Sequence, residues 1–393
     1  MNKVINRFVF FTALLFLSFS CENEGADRLS EDPATGLDEF SSSDSGGGGN
    51  GNGDTSGLVT AGEWNDLAHW DFWNNLLNGQ DFSHMPEYWG FYTGNRIALH
   101  LTNNGLPAKN VAVSLTTTEG IVWETKTDNH GNAELWISLF QPKQEIDLEE
   151  YSIHIDGIAT ETLPQFFSDA GILELEMDAY APPQEKVEIA FMVDATGSMS
   201  DELEFLKDDL VSVISQVENQ NTSTTFLTGT VFYRDIGDDY VVRHSDFSTD
   251  IATTLEFINA QGADGGGDYP EAVHTALNTI LEQLQWSENA KSKLVFMLLD
   301  APPHYEPQVL DAIRHSVRVA ATSGIKLIPV SASGIDKETE FLLRFLSVTT
   351  NGTYVFITDD SGIGNDHLEP SVGQFEVEKL NALMVRLINT YSE

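Results

Sequence analysis

The chain has 393 residues, 41% of them hydrophobic and 21% charged, enough to bury two or three domain cores. Lysine and arginine total 20 against 61 aspartates and glutamates, a formal net charge of −41, which excludes a nucleic-acid binder that must neutralise phosphates with clustered cations. One cysteine cannot form an intrachain disulfide, a cysteine-rich zinc site or an iron–sulfur cluster.

Lys3 and Arg7 precede an apolar run of 12 residues, Phe8–Phe19. That run is shorter than the about 20 residues of a membrane-spanning helix and reads as a secretory signal over residues 1–20. The segment Leu17-Ser18-Phe19-Ser20-Cys21 resembles the lipobox of bacterial lipoproteins, which implies lipidation at Cys21. Residues 21–58 carry nine acids, one base and the run Gly46–Gly49, the composition of a flexible tether.

Residues 59–183 are expected to form an aromatic-rich segment followed by an all-β sandwich. Trp64, Trp70, Trp73, Trp89 and Phe91 read as a packing cap, with a glycan or peptide platform as the alternative. From Arg96 the hydrophobic period is two: Ile97, Leu99 and Leu101, then Val111, Val113 and Leu115, then Ala133, Leu135 and Ile137, then Tyr151, Ile153 and Ile155. The stretches 106–113 and 127–133 resemble Ig-like and transthyretin-like domains. Asp128 and Asn129 read as a tight turn rather than calcium ligands.

From residue 186 to 393 the pattern changes. Val187–Val193 is almost continuously apolar and ends in Asp194, and Lys293–Leu299 ends in Asp300. Strands apolar on both faces belong to parallel sheets covered by helices. Helices are expected over Ser200–Glu218, Pro270–Leu284, Pro307–Ala321 and Glu376–Tyr391. The result is a doubly wound α/β domain, expected to fold alone, whose ligands sit at the carboxyl ends of the strands.

At that edge stands Asp194-Ala195-Thr196-Gly197-Ser198. One carboxylate and two hydroxyls are hard oxygen donors suited to Mg²⁺, Mn²⁺ or Ca²⁺. The segment resembles the metal-ion-dependent adhesion site, DxSxS or DxTxS, of von Willebrand factor type A domains. The stretches Tyr233–Asp238, Gly265–Glu271 and Asp300–His304 agree with that family in order. The resemblance implies that Thr196 and Ser198 bind a divalent cation, with Mg²⁺ foremost, through their hydroxyls, and that Asp194 and Asp300 bind directly or through water. The glycine-rich loop offers Asp268 where the family usually has threonine, so Asp268 is taken as the fifth ligand. Ser198 with Asp201 also fits a helix capping box. Asp235 and Asp238 read as solvated turn residues, and His304 as a packing loop residue.

The expected function is a non-enzymatic lipoprotein of the bacterial cell envelope, at the outer membrane or cell surface, binding a protein ligand through the metal. The alternative is a scaffold of an envelope complex. No Gly-x-Ser-x-Gly elbow or P-loop is present, which leaves a hydrolase a distant third. Replacing Cys21 by Ser is expected to move the protein from the membrane fraction to the soluble fraction. A variant that stays with membranes like the parent removes the lipid anchor.

Overall fold

The computed structural model describes residues 56–142, 145–221 and 223–393. Cys21, the leader and all but the last three residues of the expected tether lie outside the described residues. The first strand and two short helices are β1 (Thr60–Trp64), α1 (Trp70–Leu77) and α2 (Met85–Trp89). A β-rich stretch follows: β2 (Arg96–Asn103), β3 (Leu106–Pro107), β4 (Ala112–Thr117), β5 (Gly120–Lys126), β6 (Asn132–Trp136), β7 (Ser152–Ile155), β8 (Ile158–Ala159), α3 (Phe167–Ala170) and β9 (Ile172–Glu176). The remainder alternates: β10 (Gln184–Asp194), α4 (Leu203–Gln220), β11 (Thr225–Tyr233), β12 (Val242–Ser248), α5 (Ile251–Asn259), α6 (Val273–Asn278), β13 (Ala290–Leu299), α7 (Pro307–Ser323), β14 (Ile325–Ser331), α8 (Lys337–Thr349), β15 (Tyr354–Ile357), β16 (Glu378–Lys379) and α9 (Leu380–Ser392).

The large sheet has the order β12-β11-β10-β13-β14-β15-β1-β16. Its centre, β11 to β15, is parallel, and its outer strands pair antiparallel. Alternation along each central strand feeds two cores. Val187, Ile189, Phe191 and Val193 of β10 join α4 and α9 on one face, while Ala190 and Met192 join α6, α7 and α8 on the other. This double burial is why β10 and β13 lack polar alternation. Pro329 is tolerated within β14 because pairing with β15 begins only at Val330.

Two small sheets, β3-β2-β6 with β9 beside β2, and β5-β4-β7-β8, form from the alternating runs. Asp128 shapes the turn before β6, its Oδ1 accepting from the amides of His130 at 2.9 Å and Asn132 at 2.8 Å. The aromatic segment is core. Trp73 stacks on Phe341 at 5.8 Å and Phe91 on Phe345 at 4.3 Å, so these rings are covered by α8 rather than offered to a ligand.

The expected boundary near residue 186 is crossed twice. β1 lies inside the large sheet, antiparallel to β15. The aromatic segment and α8 share one hydrophobic core. The end of the tether is also tied down: the Gly57 amide donates to Asp209 Oδ1 on α4 at 2.6 Å. α8 is buried continuously from Thr339 through Thr349, its polar side chains included.

A fully buried ion pair locks the crossing. Arg344 on α8 donates from Nε to Asp66 Oδ2 at 2.9 Å and from Nη2 to Asp66 Oδ1 at 2.6 Å, with Glu340 Oε1 at 3.3 Å from Nη1. Trp64 Nε1 and the Ser371 carbonyl complete the partners. Removing one member of such a pair leaves an uncompensated buried charge. Asp66→Ala should therefore lower unfolding free energy by about 3–5 kcal/mol, read from denaturant unfolding, and Asp66→Ala with Arg344→Met should recover part of it. Equal losses in the single and double variants would assign the cost to packing instead.

Candidate metal centre

The first loop leaves β10 at Asp194. Asp194 Oδ1 accepts from the Thr196 amide at 2.9 Å and from Thr196 Oγ1 at 2.7 Å. Thr196 Oγ1 lies 3.1 Å from Ser198 Oγ, so carboxyl and hydroxyls share one line of hydrogen bonds. Ser198 sits in a 3-10 turn, Gly197–Asp201, and does not cap a helix; α4 begins at Leu203 with no side-chain cap. Asp300 follows β13 and is buried beside this loop, where the Ser198 hydroxyl faces it.

The glycine-rich loop is fastened underneath. The Gly197 amide donates to the Gly265 carbonyl at 3.1 Å, and the Asp264 amide to the Ala195 carbonyl at 3.1 Å. Arg234 donates to the carbonyls of Ala195 at 3.1 Å and Gly262 at 2.9 Å. Gly265 and Gly266 have φ of +79° and +72°, and a Cβ on Gly265 would come within 2.5 Å of the Asp238 carboxylate. Both constraints require glycine.

The loop turns Asp268 outward. Its side chain is exposed. The buried carboxyl on this loop is Glu271, which is only 3% exposed. The Glu271 amide donates to the Pro302 carbonyl at 2.9 Å, tying it to the stretch after Asp300. Asp268, taken as the fifth ligand, is thus replaced in the cluster by Glu271. The reason is the loop path: the positive-φ glycines reverse the chain early and Pro270 carries it inward before Glu271. Asp235 is also not a solvated turn residue. It is buried, with Oδ1 2.8 Å from His304 Nε2, while Asp238 Oδ2 accepts from the amides of Asp235 at 3.0 Å and Gly266 at 2.9 Å. Glu202 is buried, with Oε1 accepting from the Ser333 amide at 3.1 Å and 3.4 Å from His367 Nε2.

The electrostatics are those of crowded acids. Burial, then the charges of Asp194, Asp235 and Asp300, push the Glu271 carboxyl up to about 9. Burial raises Asp194 above the usual carboxylate range, and burial together with Asp194 raises Asp300. Asp194 Oδ2, Asp300 Oδ1 and Glu271 Oε2 are buried with no hydrogen-bond partner among the described residues. An open concavity of about 570 Å³ adjoins Asp300, lined by Ser198, Asp300, Ser333, Gly334, Gly364, Asn365 and Asp366. Among the described residues, no three His, Cys, Asp or Glu side chains are grouped as metal ligands. A cation here would therefore depend on hydroxyls as well as carboxylates. Thr196 and Ser198 with Asp194 and Asp300 are such a set, and the partnerless carboxyl oxygens fit a hard dication.

Residues 188–340 match the family model of the von Willebrand factor A domain, so this part of the chain is a von Willebrand factor A domain built on a mixed α/β sheet. Among individual proteins, the chain is 32% identical over 128 residues to a putative ariadne-like RING finger protein R811 of Acanthamoeba polyphaga mimivirus, covering 33% of this chain and 12% of that one. It is 23% identical over 211 residues to the alpha-protein kinase vwkA of Dictyostelium discoideum, covering 53% and 33%. The chain thus spans no more than a third of the length of these curated relatives. Solved structures similar to it include the conserved hypothetical protein BatB from Bacteroides thetaiotaomicron, at 13% identity and TM-score 0.35, covering 52% of this chain and 98% of that one. Another is an aerotolerance-related membrane protein from Bacteroides fragilis, at 16% identity and TM-score 0.34, covering 52% and 99%.

Glu271 ordinarily ionises near 4.5 and here near 9. Between those values the folded state holds a proton that the unfolded state releases, so stability is full below pH 4.5 and falls as pH rises toward 9. In chelator, the melting temperature should drop across that range, and less so in Glu271→Gln. Parallel pH curves for both proteins would remove Glu271 from the cluster.

Proposed function

We propose that this protein binds a protein ligand through a divalent cation held by Asp194, Thr196, Ser198 and Asp300, with Glu271 behind the ion. The observation that carries the reading is the set of buried carboxyl oxygens left without partners at the carboxyl edge of the sheet, beside an open concavity. Thr196 and Ser198 orient their hydroxyls through mutual hydrogen bonding, and Asp194 fixes Thr196. When bound, a hard dication supplies an open coordination position to which a partner's acidic side chain can add. The von Willebrand factor A domain is in keeping with an interaction role. The two small sheets, which we take as a sandwich, provide a stalk. We place the protein in the bacterial cell envelope, lipid-anchored at Cys21, its only membrane contact. Among the described residues no helix is long and apolar enough to cross a membrane.

Magnesium should raise the melting temperature saturably, since a ligand that binds only the folded state at 100 times its Kd adds about 2.7 kcal/mol. Asp194→Asn should abolish the rise, whereas Asp268→Asn should leave it unchanged. A rise that survives Asp194→Asn, or is lost in Asp268→Asn, overturns this ligand set. A partner captured from envelope extract with magnesium and released by chelator supports adhesion; one retained in chelator supports the scaffold reading.

A further inference from the structure

A histidine held between two acids borders the concavity beside Asp300. β15 ends at Ile357 and β16 begins at Glu378, and residues 362–377 between them form no helix or strand. Gly364, Asn365 and Asp366 of this stretch line the concavity together with Ser198 and Asp300. Its far end is fixed, because the Ser371 amide donates to Glu340 Oε1 at 2.6 Å. Residues 364–369 are then placed by what they reach at the start of α4. Asn365 Nδ2 donates to Asp201 Oδ2 at 2.6 Å. Gly364 lies so close to Glu202 that a Cβ on it would strike the carboxylate.

The side chain of His367 is 4% exposed. Its Nδ1 is 2.7 Å from Asp359 Oδ1, and its Nε2 is 3.4 Å from Glu202 Oε1, an ion-pair distance. A neutral imidazole carries one N–H and cannot present a proton to both carboxylates; the imidazolium can. Glu202 supplies a second, independent reason. It is 1% exposed, its Oε1 already takes the Ser333 amide at 3.1 Å, and its Oε2 has no hydrogen-bond partner among the described residues. Losing the His367 charge leaves that buried carboxylate without a cation, which is costly. The charged groups around the ring are Glu202 and, through Asn365, Asp201 from the start of α4, Asp359 from the turn after β15, and Asp366 beside it in the chain. Burial works against the charged ring, but hydrogen bonding to Glu202 and Asp359 and their charges outweigh it and hold His367 above its ordinary 6.5.

We propose that His367 is a proton-operated latch: its imidazolium holds residues 364–369 against the start of α4 as one lip of the concavity, and loss of the proton lets that lip open. What the lip admits to the ion rests on the metal reading above; the latch itself does not. In the open state the ring returns toward 6.5, so the closed state binds the proton more tightly. Closure is therefore fully favoured below 6.5, and opening grows by up to about tenfold per pH unit from there to the raised value, then levels off.

The test is hydrogen exchange of the full chain in chelator, from about pH 5 to about pH 9, corrected for the intrinsic chemical rate. Exchange at 364–369 is read relative to the amides of β13, which report global unfolding. The wild type should show the rise and the plateau. His367→Gln should exchange fast at every pH. Asp359→Asn keeps an acceptor for Nδ1 but removes a charge, so its plateau should begin at lower pH. The latch is overturned if relative exchange at 364–369 is independent of pH in the wild type, or if His367→Gln keeps the wild-type profile. Should His367→Gln fail to fold, an unshifted profile in Asp359→Asn overturns it equally. A protein that shows this profile but no magnesium-induced rise in melting temperature keeps the latch and loses the metal reading.

Discussion

Asp194, Asp300 and Glu271 crowd three carboxyl groups into one buried corner of the large sheet, and much of the surrounding structure is arranged to hold them there. Two of them stand at the ends of strands whose apolar length allows no displacement: β10 and β13 pair along their registers and are buried on both faces. The third is brought in by a loop whose glycines accept positive φ and whose amides are fastened to Asp238 and to the first loop. Burial makes each negative charge costly, and proximity makes the second and third costlier. The cluster either keeps protons, as the raised values imply, or takes a cation; either way its state sets the charge presented to the concavity beside it.

The same sheet joins the two parts of the chain. β1 completes it from the N-terminal side, and the Asp66–Arg344–Glu340 network fixes the adjoining segment to α8. Tryptophans from that segment fill the space over α8, so the two parts share a core and are expected to unfold together.

How far these features were legible follows from their physics. The strand ends at Asp194 and Asp300, the hydroxyls of Thr196 and Ser198, and the helices on both faces could be read because local periodicity and strand termination determine them. α8 was not among them: its polar residues Glu340 and Arg344 are buried by a partner, Asp66, 278 positions away in sequence. β1 gave no boundary signal because it is a five-residue strand whose partner β15 lies nearly three hundred residues away. Glu271 was missed in favour of Asp268 because the choice between two acids three residues apart depends on the path of a glycine loop; the proline just before Glu271 was the available clue. Asp235 looked solvated because its partner, His304, lies 69 positions away in sequence.

The most direct measurement is a crystal of the full chain soaked in Mn²⁺ with anomalous diffraction to locate the ion. The account predicts one manganese in contact with the Thr196 and Ser198 hydroxyls and within reach of Asp194 and Asp300, directly or through water, with Asp268 still turned outward. An ion held by Asp268 and away from Ser198, or no ordered manganese at this edge at saturating metal, would contradict it.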